Sequence, residues 1–158
     1  MTSEASAVID IHIHIQPLHM FKPEALALTQ KGRKDYSDVQ RYTADAKLFL
    51  KFLDEAGIER AGLINYVSPD VIGFPPEVND WIANYCIEDP SRLLAFGSVH
   101  PKYVLDPGAE VDRLAKLGIR GLKVHPSHQL FAPNAYRDGL GPLACIPQGN
   151  AQIVVRRR

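Results

Sequence analysis

The chain has 158 residues, with 18 basic and 18 acidic side chains and a formal net charge of zero. That balance excludes a bulk electrostatic grip on nucleic acid or on an anionic membrane, because a neutral protein draws neither polyanion from a distance. With 46% hydrophobic and 23% charged residues, the composition is that of a globular domain with a real core rather than a disordered segment.

No apolar run approaches the roughly 20 residues of a membrane helix. The first seven residues carry neither a basic stretch nor an apolar core, so no secretory signal is read there. Two cysteines do not make a disulfide framework, and Cys86 in a helical stripe reads as a buried thiol. The expectation is a cytoplasmic protein with no membrane and no nucleic-acid partner.

Val8 to Ile15 reads as a strand, with Ile9, Ile11, Ile13 and Ile15 on one face and Asp10, His12 and His14 on the other. The isoleucine face is expected to pack against helices. Gln16 to Tyr42 reads as a long loop broken by Pro17, Pro23 and Gly32, with room for a short helix at Pro23. Thr43 is the expected cap of a helix whose stripe is Leu48, Phe49, Phe52, Leu53 and Ala56, and Gly57 ends it. Ala61 to Val67 is a second strand. A helix follows with the stripe Val78, Trp81, Ile82, Tyr85 and Cys86, stopped by Asp89-Pro90. Leu93 to Val99 is a third strand. Asp106 and Pro107 open a helix that Gly118 closes, and Gly121 to His125 is a fourth strand.

Strand and helix alternate, which implies parallel strands joined by crossover helices. Short helix-to-strand turns and long strand-to-helix loops fit a β/α barrel with its site at one rim, and an open doubly wound sheet as well. No Gly-rich phosphate loop follows any strand. From Leu140 the pattern fails, and Ile153 to Val155 reads as a short strand at most.

His12 and His14 are the sharpest feature. Two apart on a strand, both rings leave the same face and converge on one point, and imidazole suits zinc and other borderline divalent ions. Lys123 and His125 repeat that geometry on the fourth strand, opposite Leu122 and Val124. A buried lysine and histidine at a strand end are costly unless they meet a ligand, an anion or a metal. For Lys123 a structural ion pair with an inward acid such as Asp10 stands equally open. His100 reads as a capping or core residue, and His19 and His128 as solvated loop residues. The run Lys31 to Lys34 reads as solvated charge. No serine or cysteine lies in a nucleophile-elbow context.

The segment VIDIHIHIQP, Val8 to Pro17, resembles the first strand of the metal-dependent amidohydrolase superfamily. The segment GLKVHPSHQLFAPN, Gly121 to Asn134, looks like the fourth-strand region of its amidohydrolase-related branch, which also holds aminocarboxymuconate-semialdehyde decarboxylase. The likeness spans Val8 to about Leu143. It implies an α/β fold, the first four β/α units of a TIM-like (β/α)8 barrel, followed by a tail at 144–158 outside the family pattern. It also implies a divalent metal, zinc in first place, on His12 and His14, with Lys123 and His125 polarising or orienting a small-molecule substrate. The family's further ligands, histidines of the fifth and sixth strands and an eighth-strand aspartate, have no counterpart here. The expected function is therefore that of a metal-dependent hydrolase by resemblance, with weak metal binding and no turnover as this truncated chain. A non-oxidative decarboxylase of the same branch and a non-catalytic fragment are the alternatives. Unpaired first and fourth strands would offer a homodimer open sheet edges.

Overall fold

The computed structural model describes residues 7–131 and the backbone of residues 152–155. The chain is α/β. Four parallel strands, β1 (Val8–Ile13), β2 (Ile58–Ile64), β3 (Leu93–Gly97) and β4 (Gly121–Val124), lie side by side in chain order and curl into a half-barrel. A fifth strand, β5 (Gln152–Val155), runs antiparallel on β4, with Gly121 opposite Val155 and Val124 opposite Gln152. The edge expected to be open at the fourth strand is therefore covered, and among the described residues no strand pairs with the outer side of β1. The boundary expected at 143/144 lies outside the described residues.

Among the described residues six α-helices accompany the strands: α1 (Pro23–Gln30), α2 (Tyr36–Ala44), α3 (Ala46–Glu55), α4 (Val78–Cys86), α5 (Pro107–Lys116) and α6 (Pro126–Gln129). α1 is the short helix for which Pro23 left room, and α2 corrects the reading of the rest of 16–42 as loop. Pro23 opens α1 from its first turn, where a missing N–H costs nothing, and Gly32 takes φ +76° in the turn between the helices. α2 continues through Thr43, and the cap of α3 is Asp45. Its carboxylate accepts the N–H groups of Lys47 and Leu48 at 2.8 and 3.4 Å. Asp106 caps α5 as expected, accepting the Ala109 N–H at 2.9 Å.

Alternation along the strands divides two apolar layers. Ala61, Leu63, Leu93, Ala95 and Val124 pack against Phe49, Leu53, Ile82 and Leu114 of the helices. Ile64, Tyr66 and Phe96 face the inside and pack with Ile72, Phe74 and Val78. The isoleucine face of β1 joins the helix layer only at its end: Ile13 and Ile15 pack there, whereas Ile9 and Ile11 remain 50% and 56% exposed. An extra residue in β1 between Asp10 and Ile13 contributes to this: Asp10, opposite Ala61, takes the helix side rather than the expected face of His12 and His14, and Ile9, opposite Arg60, takes the other.

The carboxyl ends of the strands are laced together by side chains. The Asn65 amide donates to the Ile15 carbonyl at 2.6 Å. Asn79 of α4 makes paired bonds to Ser98, at 2.8 Å to its carbonyl and 2.9 Å from its N–H. The Ser98 hydroxyl accepts the Val67 N–H at 2.5 Å. Gln129 accepts the His125 N–H at 2.8 Å and donates to the Val99 carbonyl at 3.3 Å. The loops after β1 and β2 meet at Gly73, whose φ of +112° and bare α-carbon let the Met20 carbonyl and Lys22 N–H approach.

Candidate functional site

β1 carries one extra residue against β2: Asp10 lies opposite Ala61 and Ile13 opposite Leu63, three steps on one strand for two on the other. Such a bulge bends a strand and re-aims a side chain. Inside it the Asp10 carboxylate accepts the His12 N–H at 2.9 Å. The outcome is convergence, with the Nε2 atoms of His12 and His14 3.2 Å apart. Two nitrogens on one tetrahedral zinc, each about 2.0–2.1 Å from it, are separated by about 3.3 Å. The pair therefore fits one edge of such an ion's coordination shell. Among the described residues no group of three or more His, Cys, Asp or Glu is placed to hold an ion, so the fit extends to two positions.

The inner face brings the expected residues together. His14 meets the ring of Tyr66 edge-on at 6.4 Å between centroids, and Tyr66 lies 5.2 Å from His125. Lys123 is 2% exposed, on the same face as His125. Its expected ion pair with Asp10 does not form, and no salt bridge reaches it among the described residues. Leu122 and Val124 pack into the helix layer, as alternation requires.

Two members of the cluster were not anticipated. His128 is not a solvated loop residue: it stacks on His125 at 3.9 Å with an interplanar angle of 11°, and its Nδ1 lies 2.7 Å from the Tyr66 hydroxyl. The Ser68 hydroxyl holds its carbonyl at 2.6 Å. The available signal was the spacing of three from His125 behind Pro126, which starts a helical turn and sets both rings on one side. Tyr66 was legible by parity, two residues beyond the inward Ile64.

Burial sets the protonation of the cluster. His14 is lowered to about 4, by desolvation first and then by the positive charge of His12, Lys123 and His125. The residue keeps an exposed edge, so water offsets part of that desolvation. His125 is lowered by burial, then by His128 and Lys123, and His128 by burial, then by Lys123. Burial lowers Lys123 and raises the Tyr66 hydroxyl to about 12. At neutral pH His14, His125 and His128 are thus neutral imidazoles, the form that binds metal, and Tyr66 keeps its proton.

The remaining histidines and the thiol play quieter parts. His100 is a buried structural residue, its Nδ1 accepting the Lys102 N–H at 3.2 Å and its ring edge-on to Tyr103. His19 is exposed. Cys86 is buried and its thiol is pushed up to about 12, which leaves it inert. A groove of about 350 Å³ lies apart from the cluster, lined in part by Asp80, Glu110 and Arg113, and both carboxylates already hold that guanidinium.

No protein-family model, curated protein or solved structure matches the chain. No helix among the described residues is long and apolar enough to cross a membrane.

Proposed function

We propose that this chain is a metal-binding half-barrel of the amidohydrolase type, built for metal-assisted hydrolysis of a small molecule. The observation that carries the reading is the 3.2 Å convergence of His12 and His14 on the inner face, opposite Lys123 and His125. A bound divalent ion, zinc by the nitrogen donor set, would supply Lewis-acid activation of water and of an electrophilic carbon.

The chain's own residues have separable roles in this reading. His12 and His14 hold the ion. Lys123, buried and without an ion pair among the described residues, presents positive charge to a substrate oxygen. His125 is neutral at working pH, so it can take a proton, and the His128 ring stacked on it fixes its plane. Tyr66 remains protonated and buttresses His14, His125 and His128 from one position. Two protein nitrogens make a weak zinc site, and no carboxylate among the described residues joins them in a metal-holding group. Turnover by this chain alone is accordingly expected to be undetectable.

Equilibrium dialysis against zinc tests the assignment. His12→Ala and His14→Ala should each lower affinity tenfold or more. Tight stoichiometric binding untouched by either substitution would refute it.

A further inference from the structure

We propose that Tyr66 and His128 form a relay that presents the His128 Nε2–H, beside Lys123, as a seat for an anionic oxygen group of the substrate. The proposal rests on the metal reading of His12 and His14, and it names the class of substrate that the same site would take.

Hydrogen bonds from the segment after β2 fix the tautomer of His128. Among the described residues the Tyr66 hydroxyl has one hydrogen-bond partner, the His128 Nδ1 at 2.7 Å. A phenol is protonated at neutral pH, so its O–H donates and Nδ1 accepts. A neutral imidazole whose Nδ1 accepts carries its proton on Nε2. Uptake of a second proton leaves Nε2–H in place, so His128 is a donor in either state. The Ser68 hydroxyl also donates to the His128 carbonyl at 2.6 Å, so one segment grips the residue at ring and backbone. His125 stacks on the ring at 3.9 Å, and its own Nδ1 lies 3.1 Å from the Ser127 hydroxyl. Turning the His128 ring over would break the bond to Tyr66.

Lys123 supplies the charge. It is 2% exposed, and its ammonium has neither a hydrogen bond nor a salt bridge among the described residues. It precedes His125 by two residues on the same face, and its positive charge acts on His125, His128 and His14. The charges that act on these three rings come from basic side chains, and no carboxylate is among them. Such a cluster repels cations, and a neutral group would leave a buried ammonium uncompensated. An anionic oxygen group offsets that burial. One oxygen takes an N–H of Lys123 and another takes the His128 Nε2–H, and both bonds are charge-assisted. Tyr66 has already oriented the His128 donor, so binding requires no reorganisation of that ring. His128 thus contacts the substrate directly, and Tyr66 is a positioning residue that acts through it.

Titration of the full chain in EDTA with inorganic phosphate and with benzoate, followed by NMR of isotope-labelled histidine, tests the proposal. The expected result is saturable binding, with the His128 Nε2 proton present in the free chain and shifted by the anion. Tighter phosphate assigns a phosphate-bearing substrate, and tighter benzoate a carboxylate-bearing one. Lys123→Met and His128→Phe should each weaken binding at least tenfold, as loss of a hydrogen bond to a charged group does. Phenylalanine keeps the stack on His125 and has no donor. Tyr66→Phe should weaken binding less, and should let the tautomer protonated at Nδ1 appear, a signature that lost packing alone would not give. A neutral His128 protonated at Nδ1 in the parent would overturn the relay. Absence of saturable binding, or binding untouched by Lys123→Met, would overturn the seat. Zinc dialysis of the same variants keeps the two readings apart, since Lys123→Met and His128→Phe should bind zinc as the parent does. No anion binding, with zinc still sensitive to His12→Ala, would overturn this proposal alone. Zinc indifferent to His12→Ala, with anion binding intact, would overturn the metal reading and with it the assignment of the seat to a substrate.

Discussion

Lys123→Met is expected to stabilise the protein. Lys123 is 2% exposed, its ammonium finds no carboxylate among the described residues, and burial alone lowers its pKa. Burial disfavours the charged ammonium in the folded chain, whereas the unfolded chain leaves it in water. Replacing buried ionic groups by apolar ones of similar volume gains on the order of 1–4 kcal/mol. Methionine follows the lysine stem through its first three side-chain atoms and ends without charge, and imperfect repacking of such a swap costs less than about 1.5 kcal/mol. The net expectation is a gain of about 1–3 kcal/mol, each kcal/mol raising the midpoint of thermal unfolding by about 2–4 °C in a chain of this size. The pH dependence has a definite sign. The folded pKa lies below the ordinary lysine value, so the unfolded chain binds more protons between the two. Stability of the parent should therefore rise with pH through that window, toward the ordinary lysine value of 10.5, and the Met variant should lack this rise. Urea unfolding followed by far-UV circular dichroism at pH 7 and pH 10 measures both effects. A Met variant less stable than the parent at pH 7 would refute the reasoning, as would a parent whose stability stays flat between the two pH values.

Gly73→Ala should cost about 2–4 kcal/mol, because the new methyl at φ +112° would lie 2.6 Å from the Lys22 nitrogen and 2.7 Å from the Met20 oxygen; a urea midpoint within error of the parent would count against that crossing of loops. Acid should destabilise the fold in a window set by histidine: the folded pKa of His14, about 4, lies below the unfolded 6.5, so stability is full above pH 6.5 and falls between there and 4. His125 and His128 act in the same direction, and a urea midpoint constant from pH 7 to 4.5 would contradict the assignment. Asp106→Ala should cost about 1 kcal/mol by freeing the Ala109 N–H, while Thr43→Ala should cost less, since α2 runs through that position and Asp45 is the cap that follows; comparison of the two unfolding curves decides it.

Periodicity made the parallel sheet and the inward face of β4 legible, because Leu122 and Val124 turn to the apolar helix layer while Lys123 turns inward, which leaves a clear alternation. It misjudged β1 for a physical reason: one extra residue between Asp10 and Ile13 breaks the two-residue period, so the four isoleucines do not share one face. The convergence of His12 and His14 followed from their spacing of two, although the bulge that refines it leaves no mark in sequence. His128 was hidden because a loop residue's neighbours depend on the turn at Pro126, and Lys123 was ambiguous because a charge's partners lie on other strands. In 16–42 the helix opening at Pro23 was legible, whereas the helix Tyr36–Ala44 was not, because Gly32 was weighed as a loop breaker and stands instead in the turn between two helices.

The antiparallel pairing of β5 with β4 also orders events in time. β4 leaves the ribosome well before Gln152–Val155 can reach it, so the nascent chain carries a bare β4 edge through the interval in which the first four strands assemble. A chaperone that holds exposed strands would have its longest opportunity there. A protease acting on the segment before β5 would recreate that immature edge in the finished protein. Protection of β4 amides from hydrogen exchange during synthesis should therefore appear last.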